Sequence, residues 1–281
     1  MAADEITDDA VAGPLRVFQR RGGHRYSLDD TLVAWVAARA RPEATRVLDL
    51  GCGIGSVLLM LAYKLPHAWV LGIEALEMSF QLAERNVARN ALGGRVRVAR
   101  GDLRDARLVD DARTEHVFDL VTGTPPYQPP GTATPSPDPQ RAHARIELRG
   151  GVEDYVRAAA RVLAPGGLVV VCADARAPER VERTSREVGL VPVHRLDVVP
   201  RSTEARALFT VWSLERARSD ATPVPREEIF LARDASGART EEARAVRRFF
   251  DLPLPDDEAP SPSSPAQVRG SFPRTRGKDS G

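Results

Sequence analysis

The stretch VLDLGCGIGSVLLMLA, residues 47–62, most constrains what this chain can become. It reads as a buried-type strand, a loop with Gly51, Gly53 and Gly55, and then an apolar helix. Glycines at this spacing let the backbone turn sharply and approach a ligand closely. The loop alone does not choose a ligand, because dinucleotide oxidoreductases use a close relative of it. Asp49, just before the loop, narrows the field. A carboxylate there is poorly suited to face a pyrophosphate, but it can accept from a ligand ammonium group, directly or through water. Glu74 ends the next predicted strand, 21 residues beyond Gly53, where an acid accepts both hydroxyls of a ribose. Asp102, followed by Leu103, ends the third, where a carboxylate can accept from an adenine amino group. Successive carboxyl ends of parallel strands line one crevice, so the three acids are expected to meet there.

Beyond the loop, strand and helix alternate. Strands are predicted at 46–50, 69–75, 95–102, 118–123 and 168–174. Helices are predicted at 57–64, 78–90, 152–163 and 179–188, with a helix or loop after 102. This is the pattern of a doubly wound, mostly parallel twisted sheet of the Rossmann-like α/β class. Segments 191–199 and 207–216 read as an antiparallel closing pair. Residues 1–14 are acidic and polar and are expected to be disordered. Residues 15–250 form one domain: a lead-in hairpin and helix (15–45), the core (46–216), and a C-terminal strand and helix (229–250). The lead-in hairpin is expected to turn at Gly22 and Gly23, and its helix to run from Leu28 to Ala40 behind Ser27 as N-cap. Residues 251–281 are rich in Pro, Ser and Asp and are expected to be a disordered tail.

Composition excludes more than it assigns. Of 281 residues, 42% are hydrophobic and 28% charged, as in ordinary globular proteins. The net charge of +1 supplies no global field toward nucleic acid or a membrane, so any polyanion must be met by a local patch. Cys52 and Cys172 form no CxxC or Cys/His cluster, so neither a metal site nor a disulfide framework is expected. No secretory signal or membrane-length apolar run is evident, and a monomeric, cytoplasmic protein is expected.

The fourth core strand runs into Thr124-Pro125-Pro126-Tyr127. With the glycine loop, this resembles the (N/D/S)PP(Y/F/W) motif of S-adenosylmethionine-dependent amino-methyltransferases acting on adenine, guanine or glutamine side chains. A conjugated amine is a poor nucleophile because its lone pair is delocalised. Acceptors on both N–H bonds favour a pyramidal nitrogen and restore that lone pair. The resemblance gives the acceptor roles to the first side chain and to the carbonyl of the first proline, here Thr124 and Pro125. Pro126 helps fix the geometry, and the Tyr127 ring stacks on the planar acceptor. Threonine is shorter than the family's asparagine and is also a donor.

Further stretches narrow the likeness. QRRGGHRYSLDDTLVAWVA (19–37) is similar to the lead-in of bacterial tRNA(adenine-N6)-methyltransferases that modify the adenine beside the anticodon of a valine tRNA. There an Asp followed by an apolar pair opens a helix at the methionine end of the cofactor, as Asp29 with Leu32 and Val33 would here. TPPYQPPG (124–131), ARIEL (144–148) and residues 229–250 also resemble that family, while GTATPSPDPQ (131–140) looks like an insert. The resemblance implies S-adenosylmethionine as cofactor and tRNA as partner. Other acceptors remain open: a base of rRNA or DNA, a protein glutamine, or none, in a chain that binds cofactor without turnover. An NAD-dependent oxidoreductase would use neither TPPY nor the closing pair. The basic lead-in, Arg16, Arg20, Arg21, His24 and Arg25, is expected to contact phosphates.

Overall fold

In the computed structural model, the described residues are 5–105, 117–217 and 224–254. Eight strands form the central sheet: β3 (Arg46–Leu50), β4 (Trp69–Glu74), β5 (Val96–Arg100), β6 (Phe118–Gly123), β7 (Leu163–Asp174), β8 (Leu190–Val199), β9 (Phe209–Arg216) and β10 (Arg226–Leu231). Their spatial order is β10-β8-β9-β7-β6-β3-β4-β5. Strands β3 to β7 pair in parallel, and β9 runs antiparallel between β7 and β8. The expected closing pair is thus present, and β10 extends it by pairing parallel to β8. From β3 the chain steps to β4 and β5, then returns to place β6 on the other side of β3. That reversal opens a crevice at the carboxyl ends of β3 and β6.

Helices cover both faces: α1 (Leu28–Ala40), α2 (Ser56–Lys64) and α3 (Glu77–Arg89), then α4 (Pro139–Arg145), α5 (Val152–Val162), α6 (Pro178–Glu187) and α7 (Glu241–Phe249). Alternate side chains of a strand point to opposite faces, and β7 divides accordingly. Val170 and Cys172 join the core beneath α1 and α2, whereas Val169 and Val171 join the core beneath α5. Helix α2 starts at Gly55 in the left-handed conformation (φ 85°), and its run Ser56–Ala62 is buried throughout. Its C-terminal carbonyls are met by the Arg95 guanidinium, 2.6 Å from the Ala62 oxygen. Among the described residues, no helix is long and apolar enough to cross a membrane.

Three expectations need correction. Residues 6–12, expected to lack structure, form strand β1 (Ile6–Ala12), paired antiparallel with β2 (Leu15–Arg20). The hairpin therefore turns at Gly13 (φ 48°), not at Gly22 and Gly23. Its partners are distant in sequence: Asn86 on α3 and Asn90 at that helix's C-cap exchange hydrogen bonds with the β2 backbone at Phe18 and Arg16. The expected tail also begins too early, because Leu252 is buried and its N–H donates to the Arg247 carbonyl. Residues 1–4, the expected helix or loop at 106–116, and the tail from 255 lie outside the described residues.

Candidate active site

The loop after β3 forms the floor of a cleft. Gly51 and Gly53 both have positive φ, 60° and 56°. Gly51 is required twice, since a Cβ there would also lie 2.1 Å from the Tyr155 hydroxyl, whereas a Cβ on Gly53 would meet nothing within 4 Å. The loop thus presents open backbone to the cleft at Gly53. The end of β4 supports it. One Glu74 carboxylate oxygen accepts the Gly53 N–H at 2.9 Å and the other accepts the Leu76 N–H at 2.6 Å. Burial still pushes the Glu74 carboxyl up, against these backbone donors. Each oxygen keeps a lone pair with which to accept from a diol.

Asp49 lies just behind this floor, 1% exposed, and accepts from the Thr122 hydroxyl at 2.8 Å. Burial raises its carboxyl to about 7, with the Thr122 hydrogen bond opposing and the Glu74 charge adding. Asp30, at the start of α1, is the acid that sequence reasoning missed. It accepts from the Ser27 N–H and the Ser56 hydroxyl, and burial with the neighbouring Asp29 charge pushes it up to about 8. Buried acids held by donors but raised in pKa gain most from a cationic ligand, which would restore their charge.

The adjoining wall is Thr124, Pro125, Pro126 and Tyr127, which leave β6 beside the end of β3. Tyr127 is fixed from three directions: its hydroxyl lies 3.0 Å from the Asp29 carboxylate and 3.0 Å from Cys172 Sγ, and its ring stacks on Phe209 at 6.1 Å. Burial pushes the phenol pKa well up, so it remains a donor toward Asp29. Asp29 thereby joins the α1 side of the cleft to the TPPY wall.

The cleft, about 1050 Å³ with its solvent-open part, is lined by ten of the twelve residues expected from sequence: Asp29, Gly51, Gly53, Glu74, Asp102, Leu103 and the TPPY segment. The other two, Asp49 and Gly55, lie behind it. Asp102 is the least free of the acids, because the Arg104 guanidinium and backbone N–H hold its carboxylate and lower its pKa. Sequence reasoning missed Tyr155 from α5 as well as Gln140 and His143 from α4. His143 Nδ1 is buried without a hydrogen-bond partner. The signal for α4 was present: Asp138 is its N-cap, with Pro139 at the first helical position. The basic lead-in carries its own counter-charges. Arg16, Arg20, Arg21 and Arg25 each face a carboxylate, those of Asp8, Asp138, Glu5 and Asp9.

The family model described as the methyltransferase small domain matches residues 29–191, from Asp29 to the start of β8 and more than half of the chain. The chain belongs to that family. A methyltransferase small domain accounts for the placement of the glycine loop, the two strand-end acids and TPPY in one cleft. Among relatives, a release factor glutamine methyltransferase of Geobacter sulfurreducens is 35% identical over 150 residues, 51% of this chain and 50% of that protein. A tRNA1(Val) (adenine(37)-N6)-methyltransferase of Bacteroides thetaiotaomicron is 30% identical over 182 residues, 64% of this chain and 72% of that protein. The chain spans about half the length of the first curated relatives it matches. Among solved structures, a predicted O-methyltransferase from Agrobacterium tumefaciens shares the fold, with a TM-score of 0.61 at 21% identity over 79% of this chain and 96% of the other.

Proposed function

We propose that this methyltransferase small domain transfers a methyl group from S-adenosylmethionine to an exocyclic amine, with adenine N6 of a tRNA as the acceptor. The observation that carries the reading is the position of TPPY beside the Gly51–Gly53 floor, in the same cleft as Glu74. The donor set fits the cofactor. Glu74 has lone pairs for the ribose hydroxyls, Gly53 leaves room for close approach, and Asp29, Asp30 and Asp49 supply negative charge for a cationic methionine end. Asp102 and Leu103 would border its adenine. Gly55 sets the start of α2. Bound there, S-adenosylmethionine would supply an electrophilic methyl carbon on a sulfonium.

The protein's own contribution is to the nucleophile. The Thr124 hydroxyl and the Pro125 carbonyl accept the two amine N–H bonds, and the amine lone pair becomes available to the methyl carbon. Transfer to the amine would leave the cofactor as a thioether, and the surplus amine proton would leave to solvent. Pro126 fixes the backbone turn, and the anchored Tyr127 ring offers a face to the acceptor. The tRNA acceptor is favoured by the relative from Bacteroides thetaiotaomicron, which this chain covers to 72% of its length. A protein glutamine is the second reading, favoured by the 35% identity to the release factor enzyme.

The test is methyl transfer from labelled cofactor into unmodified tRNA, followed by nucleoside analysis, with a release factor as the parallel acceptor. Label in N6-methyladenosine supports the first reading, and label in the release factor supports the second. Cofactor binding without transfer to either, or to rRNA or DNA, identifies a binding module.

A further inference from the structure

Positive charge around this cleft is unevenly committed. The hairpin arginines are matched by Asp8, Asp138, Glu5 and Asp9. The carboxylates around the cleft are likewise engaged. Arg104 holds Asp102 at 2.7 Å, Arg176 holds Asp174 at 2.7 Å, and Arg180 forks across Glu147 and Glu153 at 2.7 and 2.6 Å.

Exposed arginines without an ion pair also occur at Arg97, Arg186, Arg201 and Arg206, but two lie together on the segment bordering the cleft. Arg141 and Arg145 are exposed and lie four residues apart on α4, hence on one face of it. Among the described residues, neither forms a side-chain ion pair, although the Asp138 carboxylate that Arg20 holds accepts the Arg141 N–H and is lowered by its charge. Arg141 spends its Nε on the Gly23 carbonyl at 3.1 Å and keeps its terminal N–H donors. Arg149, exposed where the segment enters the cleft, lies 4.0 Å from the Asp102 carboxylate that Arg104 already holds, and its charge also acts on Glu74. His24 and His143 tie these arginines to the cleft they border. Burial lowers the pKa of each imidazole, with Arg145 and Arg141 adding at His24 and Arg149 adding at His143.

We propose that the exposed face of α4, with Arg141 and Arg145 and with Arg149 at its inner end, is a phosphate-binding edge that seats a nucleic-acid acceptor over the TPPY wall. The inference rests on the RNA reading of the acceptor and deepens it. A guanidinium fork matches a phosphate bidentately. Side chains one helical turn apart have Cβ atoms about 5–6 Å from each other, the scale of neighbouring phosphates on one strand. With a net charge of +1, the chain has no general attraction for a polyanion, so a local edge must provide it. Phosphate contacts of this kind set register and orientation, which is what delivering one amine to Thr124 demands.

The experiment compares two double variants of the full chain, Arg141→Gln with Arg145→Gln, and Arg16→Gln with Arg21→Gln. The affinity of an unmodified tRNA transcript is measured across salt concentration, alongside cofactor affinity and melting temperature. The α4 pair is expected to flatten the logarithmic salt slope by about 1.4, two contacts at roughly 0.7 each on single-stranded segments. Affinity at physiological salt should fall roughly tenfold or more, with cofactor affinity unchanged and KM for tRNA raised more than kcat is lowered. The hairpin pair, already matched by carboxylates, is expected to keep the wild-type slope. A wild-type slope in the α4 pair overturns the inference and leaves the RNA reading standing. Salt-independent or absent tRNA binding by the wild type overturns both.

Discussion

The two walls of the cleft are built by different means. The floor, from β3 through the glycine loop to Glu74, is held by backbone geometry, by Glu74 accepting loop N–H groups, and by Asp49 accepting the Thr122 hydroxyl of β6. The TPPY wall is held by side chains from far apart in the sequence: Asp29 from α1, Cys172 from β7 and Phe209 from β9 all meet at Tyr127. A floor of that kind suits a ligand that never changes, whereas a wall assembled from separate elements lets the acceptor change while the floor stays the same. The relatives, one named for a glutamine and one for a tRNA adenine, fit that division.

The comparison breaks most visibly at the wall. Thr124→Val keeps shape and removes the hydroxyl acceptor. In single-turnover methyl transfer it should lose about 2.7–4 kcal/mol, roughly a hundred- to a thousand-fold in rate, while cofactor affinity holds. Thr124→Asn should keep or raise the rate. Tyr127→Ala removes a platform worth on the order of 1–3 kcal/mol per base. If Thr124→Val matches the wild type, the hydroxyl does not activate the amine.

At the floor the expected pattern is reversed. Glu74→Ala should weaken S-adenosylmethionine binding by about 1.5–3 kcal/mol, the worth of hydrogen bonds to a charged group. Tyr127→Ala should leave that affinity close to wild type. Isothermal titration decides, and unchanged affinity in Glu74→Ala would remove Glu74 from the ribose.

These walls were not equally legible in the sequence. The floor was, because its determinants are local: a strand pattern, glycines at fixed spacing, and an acid one βα unit later. TPPY was legible as a motif, but its Tyr127 anchors were not, since Cys172 and Phe209 come near only through the sheet order. Asp30 was hidden by its neighbour. Asp29 fitted the resemblance, and nothing in the sequence says which of two adjacent acids turns inward. Helix α4 was passed over because its start, SPDPQ, falls in a Pro-rich stretch, although Asp138 before Pro139 is a helix-opening signal. The N-terminal strand β1 was misread as disordered because ITDDA is acidic. Its charge is matched only when Arg16 and Arg25 come alongside Asp8 and Asp9.

Within the floor, Gly51 and Gly53 offer a finer comparison. Alanine at either position must adopt a left-handed conformation, costing roughly 1–2 kcal/mol. Gly51→Ala must also displace the Tyr155 hydroxyl, so its melting temperature should fall further than that of Gly53→Ala. Gly53→Ala, with open space around its Cβ, should be the variant that loses cofactor affinity out of proportion to its stability. Equal losses of stability would mean that Tyr155 yields without cost.

The last comparison concerns Asp30, and its sign is what matters. An acid whose folded pKa is raised stays protonated in the folded protein after the unfolded chain has ionised. Stability therefore falls as pH rises from the unfolded value, near 3.8, to the folded value, about 8. Inside that window a single group can contribute at most about 1.4 kcal/mol per pH unit. Asp30→Asn keeps the size and cannot ionise. Without cofactor it should gain on the wild type by up to that amount for each pH unit above about 4, and the two should converge toward pH 4. Saturating S-adenosylmethionine should narrow the gap at pH 7, because a cationic ligand stabilises the charged carboxylate in the wild type and has no charge to meet in the variant. Melting curves at several pH values, with and without cofactor, test both halves. A gap that widens toward acid would show that Asp30 is ionised in the folded protein, and it would then belong with the charged wall at Asp29, not with the buried floor.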